Sequence, residues 1–301
     1  MALSLNYHHL YYFFAVAKSG SIAKAADDLS LTPPTLSSQL KQFQRTIKCR
    51  LFERSGTGLK LTNEGRVFFK YARQMFALGD QLENRVRDQI SGVHPGIQIG
   101  VPHGTPAAYT TALVNHILRR HENARVELEE GALDRLGPKM GDLRLDLVLT
   151  TERVRKLEGV FCENTLIGDV PIVFAARPVN GNGYGQFIKP RKTRFIVPIN
   201  PVGSFDAISN FLNRVESKEI CEVPNRDVAL SLAQKGQGAA VIDSFSFHAF
   251  RPRRSLRLVR IDKHPPIREC VYLANSPRKL NNPLADDALT SFRLRLPAAA
   301  N

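Results

Sequence analysis

Residues 21–61 read SIAKAADDLSLTPPTLSSQLKQFQRTIKCRLFERSGTGLKL, and this stretch decides the fold of the amino-terminal part of the chain. Ser21 is a good N-cap, and apolar residues follow it at the i, i+3, i+4 and i+7 spacing of a short helix. Thr32 is a second N-cap and precedes Pro33, whose missing N–H is harmless at the first position of a helix. Two apolar segments then flank the glycine-rich turn 55–58, which predicts a β-hairpin. Two helices, a tight turn and a hairpin in this order are the layout of a winged helix-turn-helix.

The predicted helix after Thr32 has one apolar and one polar face. Leu36, Leu40, Phe43 and Ile47 recur at helical spacing and should be buried. On the polar face, short side chains come first and longer ones later, which suits a helix that reads base edges and touches phosphates with its flank. An ordinary solvated face would give this pattern on an isolated helix, but the turn and hairpin favour DNA binding. The residues expected to contact DNA are Thr32, Pro33, Pro34, Thr35, Ser37, Ser38, Gln39, Lys41, Gln42 and Arg45 on the helix and Arg50, Arg54 and Lys60 on the wing.

Helices are also predicted before and after the motif. Tyr7–Lys18 carries a short apolar stripe, whereas the run from Thr62 to about Ile90 has apolar residues every three or four positions. The residues of this longer seam are Val67, Tyr71, Met75, Leu78, Leu82 and Val86. At 1.5 Å per residue such a helix reaches ~40 Å, which suits pairing with a second copy better than folding back into a small unit. We therefore expect a DNA-binding domain over residues 1–61, a dimerising linker helix and hinge over 62–95, and a separate domain over 96–301.

From residue 96 onward, short apolar strands alternate with helices, which predicts an α/β unit with a mostly parallel sheet. Open α/β sheets bind ligands at the carboxyl ends of strands, which points to the loops at 102–106, 150–151, 200–205 and 243–245. The candidate ligand-binding residues there are His103, Gly104, Thr105, Thr150, Thr151, Gly203, Ser204, Phe205, Asp243 and Ser244. Helix N-termini near Thr105 and Ser204 would favour an anion. Ser204 and Asp243 could instead cap helices, and His103 could be a solvated loop histidine.

Composition limits the functional class. The chain has 301 residues and a formal net charge of +14, which favours a polyanionic partner. The four cysteines form no CxxC pair, so neither a disulfide framework nor a zinc site is expected, and no cofactor or metal is predicted. Motifs for dinucleotide binding, phosphate loops and hydrolases are absent from the sequence, which speaks against an enzyme. Without a signal sequence or an apolar run of membrane length, we expect a cytoplasmic protein.

The core SxxxAAxxLxLTxPxLSxQLKxF, the LFER start of the wing and the LTxxG entry to the long helix resemble the LysR-type transcriptional regulators over roughly residues 5–92. Within that family, NYHHLYYFFAVAKSGS and LTPPT look closest to the regulators of sodium/proton antiporter genes. The resemblance implies a two-lobed effector domain like that of periplasmic binding proteins. Lobe I would span about 96–165 and 270–301, and lobe II about 166–269.

The resemblance also implies the partners: double-stranded promoter DNA, an unknown small effector, a dimer or dimer of dimers, and RNA polymerase if the protein is an activator. Two positions depart from the family pattern, Pro33 and the pair Phe43-Gln44. Proline cannot read a base by hydrogen bonding, so base readout should shift inward to Thr35, Ser38, Gln39 or Gln42. Two other interpretations remain open: a constitutive or architectural repressor with a filled, structural cleft, and a two-lobed solute-binding protein or enzyme.

Overall fold

The computed structural model describes residues 5–55, 58–91, 96–157, 160–178, 188–199, 205–217, 219–250, 255–261, 266–279 and 282–295. It divides into two compact units, Met1–Ser91 and Gly92–Asn301. The α-helices are α1 (Tyr7–Ser19), α2 (Ile22–Asp28), α3 (Pro33–Thr46), α4 (Asn63–Ser91), α5 (Ala107–Arg120), α6 (Leu133–Gly141), α7 (Phe205–Arg214), α8 (Arg226–Gln234), α9 (Ser244–Ala249) and α10 (Pro283–Ser291). The strands are β1 (Phe52–Ser55), β2 (Gly58–Leu61), β3 (Gly96–Pro102), β4 (Arg125–Gly131), β5 (Leu147–Thr150), β6 (Lys156–Leu157), β7 (Val160–Phe161), β8 (Glu163–Ala176), β9 (Phe195–Pro198), β10 (Ile220–Val223), β11 (Ala239–Asp243), β12 (Arg257–Val259) and β13 (Arg268–Asn275).

The first unit is built around an aromatic core. Phe13 of α1 and Phe43 of α3 are almost fully buried, and Phe68 of α4 packs edge-on against both rings. Phe14 stacks on Phe69 of α4 with ring centroids 5.6 Å apart. Burial of large aromatic side chains is a major source of stability in a domain of this size. The helix-turn-helix, the wing and the first half of α4 therefore form one folded unit.

The caps predicted from sequence are present. The Ser21 side chain accepts a hydrogen bond from the Lys24 N–H, and Gly20 ends α1 in the left-handed conformation with φ of 69°. The long helix begins as predicted after Thr62, whose Oγ1 accepts the Gly65 N–H at 2.9 Å. In the described part of the chain, no helix is both long and apolar enough to cross a membrane.

The second unit contains a mixed sheet of nine strands. The strand order is β4-β3-β5-β13-β8-β11-β9-β10, and β12 pairs with β8. The 14-residue strand β8 changes partners along its length: residues 163–171 pair with β13, whereas residues 172–176 pair with β11. We call β3, β4, β5, β13 and residues 163–171 the first sheet half, and β9, β10, β11, β12 and residues 172–176 the second sheet half. Each half has its own apolar core.

Three expectations about this unit need correction. The sheet is mixed rather than mostly parallel, because β8 and β13 run antiparallel to their neighbours. The apolar run 170–175 predicts a strand that starts at Val170, but the strand begins seven residues earlier, at Glu163, where it pairs with the end of β13. The sequence pattern predicts a final helix over residues 283–295, but this helix ends at Ser291. Its continuation becomes extended because Phe292 is buried and the Leu294 N–H donates to the Ile167 carbonyl at 2.7 Å.

Candidate functional site

The exposed face of α3 is the first candidate site. The helix begins at Pro33, and the Thr32 Oγ1 accepts the Thr35 N–H at 3.4 Å, as the sequence predicts for an N-cap. Leu36, Leu40 and Phe43 are buried on the inner face, with exposed fractions of 0%, 4% and 1%. Since side chains three and four positions apart share a helix face, burial of this set leaves the polar set on the outside.

The structure places most of the predicted DNA contacts on this outer surface. The exposed ones are Thr32, Pro33, Pro34, Thr35, Ser38, Lys41, Gln42, Arg45, Arg50 and Lys60, and Ser37 and Gln39 are half-buried. Arg54 belongs to β1, and its side chain lies outside the described residues. Their role in contacting DNA stays a prediction.

The wing is fixed to α3 and α4 by specific hydrogen bonds. The Gln44 Oε1 accepts the Leu51 N–H at 2.7 Å, and the Thr62 hydroxyl donates to the Arg50 carbonyl at 2.7 Å. Gly65 of α4 lies so close to this junction that an added Cβ would be 2.1 Å from the Leu51 carbonyl oxygen. The glycine of the LTxxG pattern is thus required by a backbone contact, and Gln44, a departure from the family pattern, anchors the start of the wing.

A cavity of about 1120 Å³ in the second unit is the second candidate site. Its walls come from the loop after β3 and the start of α5 on one side, and from the starts of α8 and α9 on the other. Of the predicted ligand-binding residues, His103, Gly104 and Thr105 line it.

The other candidates are placed differently. Thr150, Thr151, Asp243 and Ser244 are buried and are not among the described residues lining the cavity. The Thr150 hydroxyl accepts the Glu152 N–H at 3.2 Å, and Asp243 caps α9 by accepting the Ser246 N–H at 2.7 Å. Helix capping was the alternative expected for Asp243. Gly203 and Ser204 lie outside the described residues, and so does the side chain of Phe205.

Behind the cavity, a buried charged network joins the two sheet halves. The Arg226 side chain is 8% exposed, and its Nη2 donates to both carboxylate oxygens of Glu269 at 2.9 and 3.0 Å. Its Nε lies 2.8 Å from Asp243 Oδ2, and its Nη1 donates to the Gly104 carbonyl at 3.1 Å. The Tyr109 hydroxyl donates to Glu269 at 2.9 Å. This cluster, which we call the Arg226 network, connects α5 and the loop after β3 to α8, β11 and β13.

The protonation of this network follows from its burial. Burial lowers the pKa of the Arg226 guanidinium, but attraction by the Glu269 and Asp243 carboxylates outweighs it, and the pKa is raised above its ordinary value. Burial and the same two carboxylates raise the pKa of the Tyr109 hydroxyl, which stays a hydrogen-bond donor. Two carboxylates and one guanidinium give the network a formal charge of −1.

Arg226, Glu269 and Tyr109 were not predicted as site residues from the sequence. Glu269 is separated from Arg226 by 43 positions and from Tyr109 by 160 positions. No spacing rule for a helix or strand connects residues so far apart. The one local signal is the apolar run 270–274 that follows Glu269 in β13.

Within the described residues, no group of three or more His, Cys, Asp or Glu is arranged to hold a metal ion. The candidate sites are therefore a polar helix face with a wing, and a cavity backed by buried charges.

Comparison with known proteins gives matches along the chain. The model of the lysR family of bacterial regulatory helix-turn-helix proteins matches residues 7–66, and the LysR substrate binding domain matches residues 91–296. The transcriptional activator protein NhaR of Escherichia coli K12 is 27% identical over 172 residues, which are 56% of this chain and 56% of NhaR. The chain thus matches just over half the length of that relative.

Two solved structures share the fold over nearly the whole chain. LysG of Corynebacterium glutamicum with bound effector Arg has a TM-score of 0.61 at 17% identity, covering 94% of this chain and 96% of LysG. DarR of Vibrio fischeri in complex with DNA has a TM-score of 0.53 at 15% identity, covering 94% of this chain and 97% of DarR. With a LysR helix-turn-helix followed by a LysR substrate-binding domain that spans more than half of its length, the chain belongs to the LysR family of transcriptional regulators.

Proposed function

We propose that this protein binds promoter DNA as an oligomer and that a small effector in the cavity of the second unit alters this binding. The observation that carries the proposal is the exposed polar face of α3, which is held rigidly by a buried apolar face and flanked by a wing. A rigid helix of this kind can enter the major groove, with Thr35, Ser38, Gln39 and Gln42 near base edges. Arg45, Arg50, Arg54 and Lys60 are then suited to phosphate contacts.

The exposed side of α4 supports an oligomer. Val67, Tyr71, Leu82 and Val86 are 55%, 57%, 59% and 46% exposed, although they belong to one predicted apolar seam. An uncovered apolar stripe on a long helix favours pairing with the same stripe of a second copy. We propose that residues 62–95 form this dimerisation element, that residues 1–61 bind DNA, and that residues 96–301 bind effector. Two such dimers could form the tetramer expected of the family.

The cavity supports control by an effector. Its volume of about 1120 Å³ is large enough for a small metabolite, which argues against a filled, structural cleft. Its walls belong to both sheet halves, and an effector that fits one arrangement of these halves better would shift the population toward it. Such a shift would change the spacing of two DNA-binding heads and the bend of the promoter.

The proposed target genes are based on similarity to known regulators alone. NhaR is a transcriptional activator, so we propose that this chain activates transcription, with RNA polymerase as a further partner. An ion-antiporter or stress gene is the proposed target, and binding to promoter DNA would place the protein in the cytoplasm.

Sequencing genomic DNA fragments retained by the full-length protein tests the proposal. We expect a small number of enriched fragments upstream of genes, sharing a motif with two half-sites. Uniform retention of fragments, with no shared motif, would contradict it. Enrichment without an antiporter or stress gene nearby would overturn only the narrower assignment.

A further inference from the structure

We infer that the cavity of the second unit takes a cationic organic effector, with an ammonium or guanidinium group, and excludes anions. This inference rests on the proposed effector role of the cavity and adds the chemical class of the ligand. It follows from the distribution of charge around the cavity, from two unpaired hydroxyl groups and from the apolar part of the lining.

The cavity's buried cation is already neutralised. Arg226 lines the cavity, but Glu269 and Asp243 hold its guanidinium at 2.9 and 2.8 Å. Because Glu269 and Asp243 are 1% and 0% exposed, water screens their charges poorly. The network behind the cavity therefore contributes a formal charge of −1 and offers an anionic ligand no free guanidinium.

The remaining charged groups of the lining are acidic or paired. Asp227 is exposed at the start of α8, and Glu130 lies 3.2 Å from the His103 Nδ1. Among the described lining residues, Arg226 is the only Lys or Arg. This contrasts with the chain as a whole, in which 42 Lys and Arg outnumber 28 Asp and Glu. An acidic cavity in a strongly basic protein would concentrate cations.

The opposing effect comes from the amino-termini of α5, α8 and α9, which all border the cavity. The α5 terminus at Ala107 has no side-chain cap, whereas Asn225 caps α8 and Asp243 caps α9. Each terminus contributes a partial positive charge of at most about half a unit. The network, Asp227 and Glu130 contribute about three negative charges, reduced to two if His103 is protonated, and so outweigh the three termini in either case.

Two hydroxyl groups in the lining point to a hydrogen-bonding ligand. Ser246 is 6% exposed, and its Oγ has no partner among the described residues. The buried Thr105 Oγ1 also lacks one. Both can accept hydrogen bonds from an ammonium or guanidinium group. Phe245, Phe250 and Leu128 also line the cavity and can cover an apolar body, with the rings facing a cation favourably.

Charged thiol reagents measure the cavity's preference without knowledge of the effector. In full-length protein with Cys49, Cys221 and Cys270 changed to Ser, Thr111→Cys places a thiol on the cavity wall, and Ser231→Cys places one on the exposed side of α8. We compare the rates of trimethylammonium-ethyl and sulfonato-ethyl methanethiosulfonate. The cation-to-anion rate ratio should be about tenfold higher at position 111 than at position 231. Asp227→Asn combined with Glu130→Gln should reduce this difference, whereas equal ratios or an anion preference at position 111 would overturn the inference.

Matched ligands test the chemical class directly. At constant ionic strength, agmatine or benzylamine should raise the melting temperature of the wild-type protein, and adipate or benzoate should not. A larger rise with a carboxylate, or no rise with either amine, would overturn the inference. Sodium chloride is compared with the amine salts at the same ionic strength. If it raises the melting temperature as much as the amines do, the cavity binds an inorganic ion, and the proposed organic class is overturned. The thiol-reagent rates and the melting temperatures do not involve DNA. If they contradict the cationic effector, the proposed DNA-binding function is still tested separately by the retention of genomic fragments.

Discussion

Arg226 shows how a single residue can connect two halves of a domain. It reaches from α8 to the backbone of Gly104 and to Glu269 of β13, while Asp243 of β11 holds its Nε. Charges buried to this degree are stable only when paired, since each loses its hydration. The network therefore fixes which groups meet at the back of the cavity, and removal of its one cation leaves the Glu269 and Asp243 carboxylates without their guanidinium.

Arg226→Leu should lower the free energy of unfolding by about 3–5 kcal/mol, because it breaks a buried ion pair from one side. The matched control is Arg268→Leu. The Arg268 Nε lies 2.7 Å from the Asp169 carboxylate, close to the 2.8 Å between Arg226 and Asp243, but both of these side chains are 46% exposed. This exposed pair should contribute at most about 1 kcal/mol. Urea denaturation measures the free energy of unfolding of both variants. Equal losses in the two variants would show that burial of the Arg226 network does not contribute to stability.

Gly65→Ala should destabilise the first unit by about 1–3 kcal/mol, because the new methyl group would clash with the Leu51 carbonyl oxygen at 2.1 Å. Gly79→Ala on the same helix is the control, since nothing lies within 4 Å of its added Cβ. There the higher helix propensity of Ala should stabilise by up to about 1 kcal/mol. Thermal unfolding of both variants should give shifts of opposite sign. A neutral Gly65→Ala would mean that the wing does not pack on α4 as described.

At the scale of elements, α4 has two apolar surfaces with different uses. Ala72 is fully buried, and Phe68, Met75 and Phe76 pack into the core of the first unit. Val67, Tyr71, Leu82 and Val86 are exposed, and their stripe continues past the end of this core. Met75 was predicted in the same seam but packs into the core instead. The sequence pattern could not separate these two surfaces, because both are apolar and recur every three or four positions.

Tyr71→Glu combined with Leu82→Glu should convert the oligomer to a smaller species, because two charges would be buried in the proposed helix pair. Lys70→Glu, at an exposed polar position of the same helix, is the control and should leave the oligomer intact. Analytical ultracentrifugation measures the masses. An unchanged mass for the double variant would rule out α4 as the dimerisation element.

The contact between α5 and α10 should be sensitive to acid. Hydrogen bonds from Arg120, His121 and Ser291 hold the pKa of the Asp287 carboxyl at about 2, against an ordinary value of 3.8. A depressed pKa stabilises the fold fully above the ordinary value, and this contribution is lost as the pH falls through 2. Wild type should therefore exceed Asp287→Asn in stability above about pH 4, and the gap should close toward pH 2.

Melting temperatures between pH 6 and pH 2 provide the measurement. Asp286→Asn, at an exposed position of the same helix, is the control for loss of a carboxylate from α10. A gap between wild type and Asp287→Asn that stays constant with pH would contradict the assigned pKa.

Across the whole molecule, structure that depends on neighbouring residues is predicted from the sequence better than contacts between distant segments. The helix starts at Ser21, Thr32 and Thr62 follow from neighbouring residues, so the sequence predicts them well. The change of partners along β8 and the Arg226 network depend on segments far apart in the chain. Thr150 and Thr151 show the same limit, because the rule that strand ends bind ligands cannot tell which ends face the cavity.

We propose that the outer face of α3 reads DNA sequence while the wing contacts phosphates. The most direct measurement is the ratio of affinities for the operator and for random DNA in a competition shift assay with full-length protein. Ser38→Ala and Gln39→Ala should lower this ratio, each by about 1–3 kcal/mol. Lys60→Ala should weaken binding to both DNAs equally and reduce the salt slope by about 1. An unchanged ratio for both α3 variants would contradict the claim.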